Sequence, residues 1–409
     1  MQGRGELIIG LDIGTTKICC VVGEVLPGEI NVIGIGTHPS VGLRKGVVVN
    51  IESTVESIKR AVDEAEQMAG CEVSSVYTGI AGGHITGFNS RGVVAVKGRE
   101  ITKGDVDRVI EAARAVAIPM EREVIHVLPQ EYIVDDQGGI QNPVGMSGVR
   151  LEAKIHIVTG AVTSARNIVN CVNRAGLDVG EIVLESLASG RAVLSEEEKE
   201  LGAALIDIGG GTTDLAIFKG KNIFHTFVLA LGGDNFTNDI AIGLRAPITD
   251  AERIKERYGC CVLDHIGPEE TIEVPGLGGR SPRKLPRQIL GEILEPRMEE
   301  IFTLVQREID NRDLSHCLNA GVVLTGGGSL IEGSSEIAES VFKVPARIGK
   351  PAGVTGLTDM VNNPMYATGV GLVVFGAGQE RKRAGFAIRD SNIFHKVMAQ
   401  MKRWFKDVI

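Results

Sequence analysis

The sequence contains no apolar run of eighteen residues, so none of it reads as a helix that crosses a bilayer. Its seven cysteines include no Cys-x-x-Cys pair, which argues against a disulfide framework and against a zinc module. The adjacent pairs Cys19-Cys20 and Cys260-Cys261 are expected to be small buried hydrophobes in a reducing cytosol. No long apolar stretch follows Met1-Gln2-Gly3-Arg4-Gly5-Glu6, so no signal peptide is expected. An excess of positive charge is missing too. Lys and Arg number 43 against 52 Asp and Glu, a net charge of −9, which excludes a general nucleic-acid binder. With 43% hydrophobic and 23% charged residues, no long region is expected to be disordered. A length of 409 residues allows two or three domains with a large core.

Charge is unevenly spread. From Gln379 onward there are eight Lys or Arg against three Asp or Glu, a net +5 that leaves −14 on the rest. A basic end on an acidic body points to an anionic partner for that end.

The informative stretch is Leu205-Ile206-Asp207-Ile208-Gly209-Gly210-Gly211-Thr212-Thr213-Asp214. An apolar strand here breaks into glycines, hydroxyls and a carboxylate. Consecutive glycines let backbone N–H groups converge on an anion. Ile9-Gly10-Leu11-Asp12-Ile13-Gly14-Thr15-Thr16-Lys17 has the same pattern half a chain earlier. One such hairpin is ordinary turn chemistry; two imply paired phosphate loops facing across a cleft.

Between them the sequence reads as alternating elements. Three strands fill 6–37, a helix fills Asn50–Ala69 with Asn50 as cap and Gly70 as stop, and a strand follows at Val73–Ile80. Residues 81–160 read as an inserted α+β unit, with strands at Val93–Lys97, Glu123–Val134 and Arg150–Val158 and a helix at Asp105–Ala117. Its Asp135-Asp136 reads as an exposed turn, and His126 and His156 as packed or surface histidines. Helices are expected at Thr163–Arg174, Ser186–Leu194, Ala251–Tyr258, Pro286–Asp310 and Tyr366–Gly376. The acidic run 196–200 reads as a solvated connection and 259–284 as loop-rich. Gly321–Ser329 echoes Val76–Gly79, so the two halves repeat one order.

These residues resemble the actin-like ATPase superfamily, and within it the FtsA family of bacterial cell-division proteins. The resemblance rests on Asp12–Lys17, Asp207–Asp214 and Leu324-Thr325-Gly326-Gly327-Gly328-Ser329, with the inserted unit, Gly232-Gly233-Asp234-Asn235-Phe236-Thr237 and the basic C-terminal segment. It implies a two-lobed α/β fold of duplicated ribonuclease-H-like halves. Residues 1–80, 161–195 and 365–378 would form the first lobe, and 81–160 the inserted subdomain. The second lobe would be 196–364, including a subdomain at about 234–318. A linker at 379–391 would lead to an amphipathic helix at 392–409.

The resemblance also implies ATP with Mg²⁺ in the cleft. Backbone groups of 14–16 and 209–212 would hold phosphates, including those of Gly14, Gly209, Gly210 and Gly211. Thr15, Thr16, Thr212 and Thr213 would add hydroxyls, and Lys17 positive charge. Asp12 and Asp207 would order metal-bound water. Asp214 either does the same or closes its turn. Glu185, in Val183–Gly190, is either the residue that orients the attacking water or a carboxylate at a helix start. Glu252 and Lys255 either face the nucleoside or form an exposed ion pair. Gly326, Gly327, Gly328 and Ser329 would lie on the adenosine.

The segment 392–409 places Ile393, Phe394, Val397, Met398, Met401, Trp404, Phe405 and Val408 on one helical stripe, bordered by Lys396, Lys402, Arg403 and Lys406. A helix of roughly 27 Å would lie flat. A sole tryptophan beside lysines favours an anionic membrane surface over the protein's own core.

The function implied is an ATP-binding scaffold, peripheral on the cytoplasmic side of the cell membrane at the division site. It would self-assemble, hydrolyse ATP slowly or for regulation, and meet other division proteins but no nucleic acid. Its second-half subdomain would receive the C-terminal peptide of FtsZ, with the surface around Arg297 the expected place. The alternatives are a sugar- or acetate-type kinase of the same superfamily and a PilM-like pilus-assembly protein. Neither accounts for the tail.

Overall fold

The computed structural model describes residues 5–386, so the amphipathic segment 392–409 lies outside the described residues. Two sheets of the same topology form its frame. The first runs in the order Asp178–Leu184, Ser75–Ile80, Glu6–Ile13, Lys17–Leu26, Glu29–Pro39, with a short edge strand Thr355–Gly356. The second runs Ala346–Ile348, Val322–Thr325, Ala203–Ile208, Thr213–Lys219, Asn222–Leu229. In each, the three strands earliest in sequence form an antiparallel meander, the fourth pairs in parallel with the first, and the fifth pairs in parallel with the fourth.

Burial explains why the strands read as unbroken apolar runs. All six residues of Ala203–Ile208 are buried. Ala203 and Leu205 belong to the core of the first lobe, while Ala204, Ile206 and Ile208 belong to that of the second. A strand covered on both faces needs hydrophobic residues at every position. The cover between the lobes is made by helices Glu185–Val193 and Ala367–Phe386. Glycines allow the latter to press close: a Cβ on Gly371 would lie 2.0 Å from the Ala188 carbonyl, and one on Gly10 would lie 2.5 Å from that of Gly369.

The inserted unit has its own sheet, ordered Thr86–Ala95, Arg150–Ala161, Arg122–Val134, Gln137–Ile140, with helix Lys103–Arg114 packed against it around a separate core. Its first strand starts well before Val93, and Gln137–Ile140 is a further strand whose pattern two glycines hide in the sequence. Asp135 and Asp136 form a turn, with Asp135 at φ 54 accepting from the Val149 and Arg150 N–H groups. His126 and His156 are both buried and packed. His126 Nε2 accepts from Leu184 N at 3.0 Å, and His156 Nδ1 lies 2.7 Å from Asn89 Oδ1.

Four other expectations change. The acidic run is a short helix, Glu196–Leu201, started by a capping box between Ser195 and Glu198. The loop-rich region contains a hairpin of Thr271–Val274 and Arg283–Pro286. The long helix is Gln288–Asn311 and buries Leu290, Leu294 and Phe302, whereas Ile289 and Ile293 are only partly buried. The last helix runs past Gly376 to Phe386, so 379–386 of the expected linker is helical. The helix Ile51–Ala69 begins and ends as expected: Asn50 Oδ1 accepts from Ser53 N at 3.1 Å, and Gly70 adopts the left-handed conformation.

Candidate functional site

Strand alternation points Asp12 and Asp207 the same way. Asp12 shares a face with Gly10, which abuts the Ala367–Phe386 helix, and Asp207 follows Ala203 and Leu205 toward the interlobe helices. Each carboxylate therefore emerges at a strand end beneath the lobe junction. Thr368, in the first turn of the last helix, reaches Asp207 Oδ2 at 3.4 Å.

The two hairpins close identically. Gly14 N donates to Lys17 O at 3.1 Å, and Gly209 N donates to Thr212 O at 2.9 Å. Ile13 pairs with Ile18 across the first turn and Ile208 with Thr213 across the second. Superposing these registers puts Asp12 on Asp207 but Thr15-Thr16 on Gly210-Gly211, so the Thr-Thr pairs are not equivalent. Two N–H groups expected at a phosphate, those of Gly14 and Gly209, are spent on the turns; 15–16 and 210–211 remain at the tips.

Between the lobes lies a cavity of about 410 Å³, within the range of small-molecule sites. It is lined by Asp12, Gly14, Thr15, Thr16 and Lys17 from the first hairpin and by Asp207, Gly209, Gly210, Gly211 and Thr212 from the second. Glu185, Glu252, Lys255, Gly326, Gly327 and Gly328 also line it. Three expected residues do not. Thr213 is fully buried in its strand and donates its hydroxyl proton to Leu231 O at 2.9 Å. Ser329 is likewise buried and donates to Gly326 O at 2.7 Å. Asp214 lies behind the wall, where Thr212 Oγ1 donates to its Oδ2 at 2.9 Å.

Sequence reasoning missed Gly46, Ala81, Pro364, Met365 and Thr368, which reach the cavity from separate segments and carry no local signal. Gly326 was found through its glycine run. Its φ of 80 is a left-handed conformation, and a Cβ there would meet Asp207 Oδ1 at 2.3 Å.

The electrostatics are those of acids crowded into a dry place. Burial raises Asp12 to about 6; Lys17 opposes the shift and Asp207 adds to it. Asp207 also rises to about 6 by burial, opposed by hydrogen bonds from Ser189 and Thr368 and by Lys17. Asp214 is pushed to about 7 by burial and by Asp207. Glu185 is raised well above the usual carboxylate range by burial and by Asp12, Asp214 and Asp207. Asp214 Oδ1 is buried without a hydrogen-bond partner among the described residues. Such a cluster fits a cation that neutralises it.

Basic groups are positioned by contacts of their own. Lys17 Nζ donates to Met365 O at 2.7 Å and lies 4.1 Å from the Tyr366 ring centre. Lys255 Nζ donates to Glu252 Oε2 at 2.8 Å, Thr237 Oγ1 at 2.9 Å and Gly233 O at 3.2 Å, while Glu252 also bonds Thr237. Glu252 and Lys255 thus form an ion pair, one that lies in the cavity wall rather than on an exposed face. Glu185 opens its helix beside Gly79, where an added Cβ would lie 3.0 Å from Glu185 Oε1, and no side chain caps that helix.

Two lobes of one repeated topology, closed over paired glycine hairpins, define an actin-like protein. Solved structures agree on the fold. The chain resembles the PilM-PilN type IV pilus biogenesis complex with a TM-score of 0.66 at 18% identity, covering 92% of this chain and 99% of that one. It resembles MreB5 of Spiroplasma citri bound to ADP with a TM-score of 0.58 at 16% identity, covering 93% and 98%. The family model described as cell division protein FtsA matches residues 204–371, and the SHS2 domain inserted in FtsA matches 82–159. The cell division protein FtsA of Pseudomonas aeruginosa is 52% identical over 406 residues, covering 98% of this chain and 97% of that protein. Its counterpart from Escherichia coli K12 is 44% identical over 409 residues, covering 98% and 96%. The chain belongs to the FtsA family of cell-division proteins.

Proposed function

We propose that this protein binds ATP with Mg²⁺ between its lobes and anchors FtsZ filaments to the cytoplasmic face of the membrane at the division site. The observation that carries the nucleotide reading is the set of buried carboxylates around the hairpins, with an unpartnered oxygen on Asp214. The N–H groups of 15–16 and 210–211 would hold phosphates, and Asp12 and Asp207 would fix the water shell of Mg²⁺. The bound cation would supply charge neutralisation for the terminal phosphate. Glu185 would orient water for a slow, regulatory hydrolysis. Lys255 and Glu252, already locked to Thr237, would present a rigid wall to the nucleoside.

The anchoring half of the proposal rests on the composition of 392–409: a stripe of Phe394, Val397, Met398, Met401, Trp404, Phe405 and Val408 with Lys402, Arg403 and Lys406 at its border. Among the described residues no helix is long and apolar enough to cross a membrane. FtsZ would present its C-terminal peptide to the second-lobe subdomain. There Arg297 forms a two-pronged pair with Asp239 at 2.6 and 3.2 Å, which ties helix Gly233–Gly243 to the long helix. Self-association and contacts with other division proteins complete the reading.

The test is co-sedimentation of FtsZ with anionic liposomes, using the full chain with and without ATP and Mg²⁺, alongside Trp404→Ala/Phe405→Ala. FtsZ should pellet only with the unaltered chain. Equal pelleting by both would remove the anchor, and absence of Mg²⁺-dependent ATP binding would remove the nucleotide role.

A further inference from the structure

Cys260 and Glu332 are far apart in sequence yet joined as an isolated parallel β-bridge. Cys261 N donates to Glu332 O at 2.8 Å, and Cys261 Sγ approaches the same carbonyl at 3.2 Å. His265 ends a single tight turn in which its backbone N–H donates to Val262 O at 3.1 Å, and its ring lies near both bridge residues. Its Nδ1 lies 4.0 Å from Glu332 Oε1. A thiol sulfur, an imidazole nitrogen and a carboxylate oxygen therefore lie within 4.8 Å of one another.

The surroundings favour ligation. Cys260 is buried and fixes one ligand at the floor, whereas His265 and Glu332 are exposed and leave an open approach. Arg287 holds the other carboxylate oxygen, Glu332 Oε2, at 2.9 Å and is itself held by Glu270 at 2.8 Å. It thereby orients Oε1 toward His265, as outer-shell partners of metal ligands do.

We propose that Cys260, His265 and Glu332 form a binding site for a thiophilic divalent cation, with zinc the best chemical match. A sulfur–nitrogen–oxygen set suits zinc, whereas Mg²⁺ and Ca²⁺ take oxygen ligands. Zinc bonds of about 2.0–2.3 Å require the exposed His265 and Glu332 side chains to close on Cys260 by about 1 Å. On binding, the Cys260 thiol gives its proton to solvent and a sulfur–metal bond forms, so affinity falls as pH falls. Water or a partner's side chain fills the fourth position.

No sequence spacing announces this site, because its third ligand comes from a distant loop. The residues preceding Cys260 and Glu332, Gly259 and Ile331, line the interlobe cavity. A cation here staples two segments of the cavity wall, and it does so whether or not the cavity holds nucleotide.

The full chain, reduced and metal-free, is titrated with Zn²⁺ against a chromogenic chelator and separately with Co²⁺, without nucleotide. One equivalent of Zn²⁺ should bind, and Co²⁺ should show a thiolate charge-transfer band. Cys260→Ser should abolish the band. His265→Ala and Glu332→Gln, at exposed positions that leave the core intact, should each weaken Zn²⁺ binding at least tenfold. Cys317 Sγ lies 3.3 Å from His316 Nε2, so Cys317→Ser serves as the control and should change nothing. Failure of the folded chain to take up Zn²⁺, or uptake unaltered by His265→Ala and Glu332→Gln, would overturn the proposal.

Discussion

Gly210 and Thr16, from different lobes, stand so close that a Cβ on Gly210 would lie 1.8 Å from the Thr16 hydroxyl oxygen. The hairpin tips thus meet only because one is bare backbone. Gly210→Val should wedge them apart and weaken ATP binding at least tenfold, about 1.4 kcal/mol, with little change in melting temperature. The obstruction is the Thr16 side chain, so Thr16→Gly should restore part of the loss in a double-mutant cycle. Additive losses measured by calorimetry would contradict this.

Carboxylates raised by burial make ligand-free stability depend on pH. Asp12 and Asp207 near 6 and Asp214 near 7 lie above their usual 3.8 in the folded chain, so folding favours their protonated forms. The stabilisation is complete below about pH 4 and is lost as pH rises through 6 to 7. Urea midpoints of the ligand-free protein should carry a component that falls across this window. Asp214→Asn should flatten it, and saturating Mg²⁺–ATP should offset it. An unchanged slope in Asp214→Asn would show that this acid is ionised at little cost.

Glu185→Gln separates two roles. As the group that orients water, Glu185 is dispensable for binding, and single-turnover hydrolysis should slow at least tenfold at unchanged ATP affinity. As a mere carboxyl at a helix start, its replacement by the isosteric amide would leave hydrolysis alone.

Lys255 holds three oxygens together in the cavity wall. Lys255→Met should leave Glu252 without its cation, lower stability by about 1–3 kcal/mol, and weaken adenine nucleotides. Thermal melts and fluorescent-ATP titration check the two effects separately. Retained affinity would place the nucleoside elsewhere in the cavity.

Trp404 is the only tryptophan, so its emission reports on the C-terminal segment without deconvolution. Anionic vesicles should shift the emission to the blue, and the shift should weaken with added salt as the basic residues are screened. An unmoved spectrum from a folded chain would remove the membrane contact.

The local chemistry of the sequence was enough to define the duplicated hairpins, the alternating strands and most cavity residues. Gly-rich turns, two-sided burial and the caps Asn50 and Gly70 are encoded within a few residues of where they act. What sequence could not decide was register and direction. Thr213 looks like Thr16 in a pattern, but the pairing of the strands makes it the counterpart of Ile18, two residues further on, and its hydroxyl turns to Leu231 and away from the cavity. Ser329 is lost to its own turn, and Lys17 is engaged by Met365 and Tyr366 from the far end of the chain. Met365 and Thr368 enter the site, and Cys260 meets Glu332, only because the chain returns to the lobe junction. Contacts between segments so far apart follow from packing of the whole, which no local pattern records.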